Sequence, residues 1–222
     1  MKKKILIYIL VSLTCLLLVG CKKEEKKAND WILNLNEKDG TVSEEDERIF
    51  NDAIGNYSDK ELKPVALLGE QVVAGMNYMY LCKNDNSFKV AIVYKNLDGK
   101  SQITQVSDFN VNKYVNKNIE LKNENLSGGW NTIIPGKPIF LDEKMQTIFD
   151  NVVKKIVGVS YYPITVLAHQ EKSGTNYAVL CYGRISNQND TQGVYVLTIN
   201  VDEHNIQEIV SIANINLADY NK

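Results

Sequence analysis

Histidine and cysteine, the side chains that most often act as base and nucleophile near neutral pH, are few in this 222-residue chain: two histidines, His169 and His204, and four cysteines, Cys15, Cys21, Cys82 and Cys181. Neither histidine has a nucleophile nearby or the spacing of a metal ligand, which catalytic triads and zinc sites need. His169 is expected in a turn, and His204 in a polar turn. Acidic pairs such as Glu44-Glu45 read as the solvated first turn of a helix, where the dipole favours them. No Gly-rich phosphate loop and no Cys-x-x-Cys occurs. The expectation is therefore a non-enzyme, with no catalytic residue, metal or cofactor. The remaining chemistry is that of surfaces, and Gln71-Val72-Val73-Ala74-Gly75 is the stretch that carries it. Strand-like runs flank it, and a turn between strands is usually polar and contains Gly. Gly75 is present, but the middle is apolar, so the stretch reads as a turn whose greasy tip is held out for a partner. Exposed apolar area costs about 25 cal/mol per Å² until something covers it.

The N-terminus reads as a targeting segment. Lys2-Lys3-Lys4 precedes a mostly apolar run from Ile5 to Val19, too short for the roughly 20 residues of a spanning helix. It ends Leu18-Val19-Gly20-Cys21, which resembles a bacterial lipobox, with lipid on the Cys21 thiol and cleavage just before it. Residues 1–20 are then the signal peptide, and 21–29 the lipidated cysteine with a charged tether. The implied location is the extracytoplasmic face of a bacterial cell membrane, anchored by lipid. Formal net charge is −2, and −5 without the first 20 residues, which hold three Lys and no acid. A mildly acidic protein lacks the electrostatic footprint of nucleic-acid binding.

The elements that position the tip are duplicated. Shifted by 99 residues without a gap, Trp31–Cys82 and Trp130–Cys181 share Trp31/Trp130, Lys38/Lys137, Glu44/Glu143, Ile49/Ile148, Phe50/Phe149, Pro64/Pro163, Leu68/Leu167, Gln71/Gln170, Gly75/Gly174, Asn77/Asn176, Tyr78/Tyr177, Leu81/Leu180 and Cys82/Cys181. In the second copy the tip reads Glu171-Lys172-Ser173, as a solvated turn should. Each copy opens with a helical pattern: Ser43 as N-cap with Asp46 three residues on, then Ile49, Phe50, Ala53, Ile54 and Tyr57; and Asp142 as cap, then Ile148, Phe149, Val152, Val153 and Ile156, with Gly158 as the stop. Four strands follow in each, near 64–70, 76–83, 87–95 and 102–111, and near 163–168, 175–183, 193–201 and 206–217. Short turns between them imply antiparallel pairing. On the second strand Tyr78, Tyr80 and Cys82 share one face, and Met79 and Leu81 the other. The sheet back is covered by the other copy or carries ordinary surface hydrophobes. Cys82 and Cys181 read as small buried hydrophobes, or as a bond between the copies. Residues 113–127 read as the link.

A helix, four antiparallel strands and Gln-Val-Val-Ala-Gly on the first hairpin together resemble the cystatins, inhibitors of papain-like cysteine proteases. Gln71, Val73 and Gly75 match the family's Gln-x-Val-x-Gly, Asn77-Tyr78 follows as it commonly does there, and Asn86 to Asn112 resembles the end of the stefins. Gly128-Gly129-Trp130 stands where the family has its N-terminal Gly, whereas the first copy has Asp30-Trp31. The resemblance implies an α+β fold of two tandem units, 30–112 and 128–222, each with one helix across a four- to five-stranded antiparallel sheet. It implies a steric wedge contacting a protease through Gln71, Val72, Val73, Ala74 and Gly75, and through a second hairpin at Leu97, Asp98 and Gly99. Lys172 makes the second copy a weak binder or a scaffold. The alternative is a non-inhibitory lipoprotein that binds another surface protein or an envelope component.

Overall fold

The computed structural model describes residues 30–33, 42–58, 61–84, 87–115, 130–132, 141–186 and 191–221. The signal segment, Cys21, the tether to residue 29, Gly128-Gly129 and residues 116–127 of the link lie outside them.

Two five-stranded antiparallel sheets dominate. The first runs β1 (Trp31–Ile32), β2 (Lys63–Val73), β3 (Gly75–Lys83), β4 (Phe88–Lys95) and β5 (Ser101–Asp108), each strand beside the next. The second contains β6 (Asn131–Thr132), β7 (Val159–Glu171), β8 (Thr175–Ile185), β9 (Gln192–Val201) and β10 (Gln207–Ile215), paired in the same succession. The duplication extends to irregularities of register. The β2–β3 ladder slips between Pro64 and Ala66 and between Leu67 and Gly69, and β7–β8 slips between Pro163 and Thr165 and between Val166 and Ala168.

The expected α+β class is overturned: the molecule is mostly antiparallel β. Among the described residues the helices are α1 (Glu44–Ile54), α2 (Asn112–Val115) and α3 (Glu143–Val153), with a 3-10 turn at Leu217–Tyr220. The physical reason is the layer that holds the core. Val65, Leu68, Met79, Leu81, Val90 and Ile92 of the first sheet form one buried cluster with Leu167, Ala178, Leu180, Val194 and Val196 of the second. Sheet packs on sheet, and the two longer helices lie on the outer faces. Ile49, Phe50 and Ala53 meet Leu67, Tyr80, Cys82 and Val93, while Met145, Ile148, Phe149 and Val152 meet Val179, Cys181, Leu197 and Ile199. Central strands buried on both faces must be apolar throughout, which explains why both faces of β3 are apolar in the sequence. The other copy covers the sheet back.

The caps form as the sequence indicates. Ser43 Oγ accepts from Asp46 N–H at 3.1 Å, and Asp142 accepts from Met145 N–H at 2.7 Å. Gly158 is not the stop of α3, which ends at Val153 with Lys154 as C-cap; Gly158, at φ +84°, leads into β7. Cys82 and Cys181 are free thiols buried in separate helix-side clusters, on opposite outer layers of the double sheet, so they form no bond between copies.

The copies meet about an approximate two-fold axis. Lys95 pairs with Met76, and Val201 with Thr175, so beyond β4 equivalent residues lie 106 apart rather than 99. Tyr114 and Tyr220, such a pair, hydrogen-bond hydroxyl to hydroxyl at 2.8 Å, and Lys113 and Asp219, another, form an ion pair at 2.6 Å. Phe109 stacks on both tyrosines. Tyr114 and Val115, at the start of the segment read as a link, are buried in this contact. The packing is head to tail. Val115, leaving the far end of the first sheet, lines a cleft with Trp130, Gln170 and Lys172 at the second tip. Leu217, Ala218 and Asn221, leaving the second sheet, line a cleft with Trp31 and Gln71 at the first. The two tips therefore stand at opposite poles.

A shared core predicts one cooperative transition. Leu180→Ala, at a fully buried inter-sheet position, should cost about 2–5 kcal/mol and shift a single urea transition; two separate transitions would contradict the shared layer. Burial raises the thiol pKa of both Cys82 and Cys181. In the unfolded chain these thiols ionise at about pH 8.5, so their contribution is complete below that pH and falls as pH rises above it. The urea midpoint should therefore decline between about pH 8 and pH 10.5, and a constant midpoint would refute the burial.

Candidate functional site

Every sequence-predicted contact residue of the first copy lies at one end of the first sheet. Val72 pairs with Met76 and Val73 with Gly75, leaving Ala74 at the apex. Ala74 is exposed, and Val72 and Val73 are half-buried. Gly75 has φ +126°, a conformation that side-chain-bearing residues rarely adopt, and a Cβ there would stand 2.4 Å from the Lys95 carbonyl oxygen. Glycine is therefore required for the tip to lie against β4. The Met76–Lys95 pairing brings the second hairpin alongside. There Asn96 Oδ1 accepts from Asp98 N–H at 3.0 Å and Lys100 N–H at 2.9 Å, an Asx turn. This turn holds Leu97 out into solvent, 88% exposed. Asp98 and Gly99 are also exposed, and Gly99 supplies φ +82°. Trp31 pairs with Gln71, so the chain enters level with Val72, and Asp30 stands exposed beside the tip.

Gln71 differs from the others. It is 5% exposed and accepts from Asn77 Nδ2 at 2.8 Å. Gln170 and Asn176 repeat the bond at 2.9 Å. The glutamine is thus a strut beneath the tip rather than a contact surface, which accounts for the Gln/Asn identity in both copies.

Tyr94 was not singled out from the sequence. Its hydroxyl donates to the Ala74 carbonyl at 2.5 Å and braces the apex from the neighbouring strand. The only sequence signal is comparative: the equivalent residue is Asn200, which donates instead to Asn176 at 2.8 Å. Asn96 was missed likewise; its counterpart Asp202 accepts from His204 and Ile206 N–H in the same turn.

The second pole has the same backbone and different side chains. Glu171, Lys172 and Ser173 are exposed where the first copy has Val72, Val73 and Ala74. Glu203 occupies the position of Leu97, and Asn205, at φ +62°, that of Gly99. His204 is exposed in this turn, while His169 lies within β7 opposite Asn131 and Tyr177, not in the expected turn. Ladder pairing places it there because β7 extends to Glu171. Among the described residues, no group of three or more His, Cys, Asp or Glu could hold a metal ion. Of the tyrosines near the tip, Tyr78 has its pKa raised by burial and then by Glu70, Asp46 and Glu45.

No family model, no curated protein and no solved structure matches this chain. The case for function therefore rests on the geometry of the poles. What that geometry provides is a small apolar protrusion whose backbone turns at Gly75 and is braced by Tyr94.

The two glycines separate backbone strain from steric contact. A Cβ on Gly99 meets nothing within 4 Å, so Gly99→Ala should cost about 1 kcal/mol for its positive φ alone. Gly75→Ala adds the overlap with Lys95 and should cost at least about 2 kcal/mol. Equal losses in urea denaturation would mean that the tip does not lie against β4.

Proposed function

We propose that this chain is a surface-anchored lipoprotein that inhibits papain-like cysteine proteases as a steric wedge built on the first pole. The observation that carries the reading is the convergence of three segments on one end of one sheet: the Asp30 trunk, the Val72-Val73-Ala74 tip and the Leu97 hairpin. A protease cleft is a groove lined for extended peptide, and such a protrusion fills it without presenting a scissile bond to the nucleophile. The side chains suit this. Val and Ala lose little rotamer entropy on burial, and the Tyr94 bond fixes the apex before binding, which lowers the ordering cost. In this reading Val72, Val73, Ala74 and Leu97 make the contact. Gln71 supports them, Gly75 permits the backbone, and Asp98 and Gly99 shape the second hairpin. The second pole is a scaffold, because Lys172 would lose its hydration in a dry cleft without a partner.

One observation favours a second reading, a non-inhibitory module that binds another surface protein or an envelope component. The trunk at Asp30 leads directly into the tether, and Asp30 replaces the glycine that the cystatin resemblance implies at that position.

Titration of active papain with the soluble fragment beginning at Lys22 decides between them. Inhibition by the wild type is expected, Val73→Asp should weaken it by at least about 100-fold, equivalent to roughly 2.7 kcal/mol, and Lys172→Asp should leave it unchanged. Equal effects of the two substitutions would move the wedge to the other pole. Absence of inhibition at micromolar concentration would leave the non-inhibitory module.

A further inference from the structure

The pole that carries the apolar tip is also the pole from which the chain departs toward Cys21. Trp31 pairs with Gln71, so the backbone leaves at Asp30, level with Val72. Residues 22–30 separate it from Cys21, and those nine residues span at most about 30 Å. The opposite pole is farther away by the length of β2, 11 residues, or roughly 36 Å at the rise of a strand. If Cys21 carries lipid, the first tip stays within tether reach of the bilayer in every orientation of the molecule.

The side chains at the two poles divide in the same sense. Near the tether stand Ala74, half-buried Val72 and Val73, and Leu97, whose side chain is almost wholly solvent-exposed. At the distal pole the equivalent positions are Ser173, Glu171, Lys172 and Glu203. The backbones are alike at both poles, so the difference lies in what each end meets. Charges at the near pole balance, with Lys95 and Lys100 against Asp30 and Asp98. The tether adds four Lys against two Glu over residues 22–29, so a neutral phosphatidylcholine surface isolates the apolar contribution.

We propose that in the anchored protein the first pole seats on the membrane surface, with Leu97 and the Val73-Ala74 apex in the interfacial layer. The lipid chain brings the patch to the surface, and the high local concentration that a short tether creates lets a small apolar area suffice. This inference rests on lipidation of Cys21, not on protease inhibition, but the two share a surface. A bilayer and a protease cleft exclude each other there, so a protease reaches the wedge only while the pole is lifted from the surface, with the lipid still inserted.

The test uses the full lipidated chain in phosphatidylcholine vesicles containing nitroxide-labelled lipid, with a fluorophore on Asp98→Cys or, in a second preparation, on Lys172→Cys. Cys82 and Cys181 are buried and remain unlabelled. Quenching at position 98 should exceed that at 172 several-fold, persist at about 1 M salt, where electrostatic attraction is screened, and disappear when Leu97→Asp is added. Equal quenching at the two poles, loss of quenching in salt, or indifference to Leu97→Asp would each overturn the proposal. Papain titration of the soluble fragment involves no vesicle, so failure of the inhibitor reading is scored separately from failure of this one.

Discussion

The contact between the two sheets is the constraint on which the rest of this molecule depends. Each sheet is apolar on both faces, and α1 or α3 covers only one of them. The other face has to be buried, and the second copy buries it. At about 25 cal/mol per Å² of apolar surface, leaving either inner face in water would remove most of the margin that a domain of this size possesses. The copies are therefore not independent units on a string. At the axis, Tyr114 and Tyr220 satisfy each other's hydroxyls, and Gln105 Nε2 donates to the Tyr220 carbonyl at 2.5 Å. Polar groups that would be costly to bury alone are thus paired across the symmetry. The ion pair of Lys113 and Asp219 is largely exposed and adds little by comparison.

Within that frame the poles have diverged in chemistry while keeping their backbone. The Gln–Asn strut, the positive-φ glycine and the Asx turn recur in both copies. What changed are the side chains that point into solvent, together with one brace. Tyr94 reaches the apex of the first tip, whereas Asn200 bonds sideways to Asn176. A bare apolar apex has no intrinsic reason to hold one conformation, because no side chain there makes a polar bond. The tyrosine supplies that reason from a neighbouring strand. The second tip, with exposed charged residues and Ser173 at φ +48°, is an ordinary solvated turn.

Much of this was legible in the sequence, because the repeat could be read without gaps across Trp31–Cys82 and its copy. That comparison located both tips and the caps at Ser43 and Asp142, and showed that β3 has two apolar faces. It did not identify what covers the back of the sheet. Alternation reports which residues are buried, not against what, and so the α+β assignment gave way to sheet on sheet. The axis was hidden for a different reason. The longer loop after β8 changes the offset from 99 to 106, so Tyr114 and Tyr220 do not align in an ungapped comparison. The brace from Tyr94 was invisible because a cross-strand bond to a main-chain carbonyl leaves no trace in the accepting residue's identity. His169 was assigned to a turn because it adjoins the tip, yet the ladder continues two residues past it.

Head-to-tail packing gives the duplication a consequence that a parallel arrangement would lack. Had the sheets packed with both tips at one end, the two tips would form one broad surface, and charged Lys172 would sit beside apolar Val73. Placing them at opposite poles separates an apolar end from a charged end by the full length of the strands. A molecule polarised in this way has a preferred orientation at any boundary between water and an apolar phase, whether that phase is a bilayer or the floor of a partner's groove. The charged pole resists desolvation, and the apolar pole gains from it. Direction is thus encoded by a few side chains on two nearly identical backbones, and the rigid inter-sheet layer transmits it, because the poles cannot turn independently of one another.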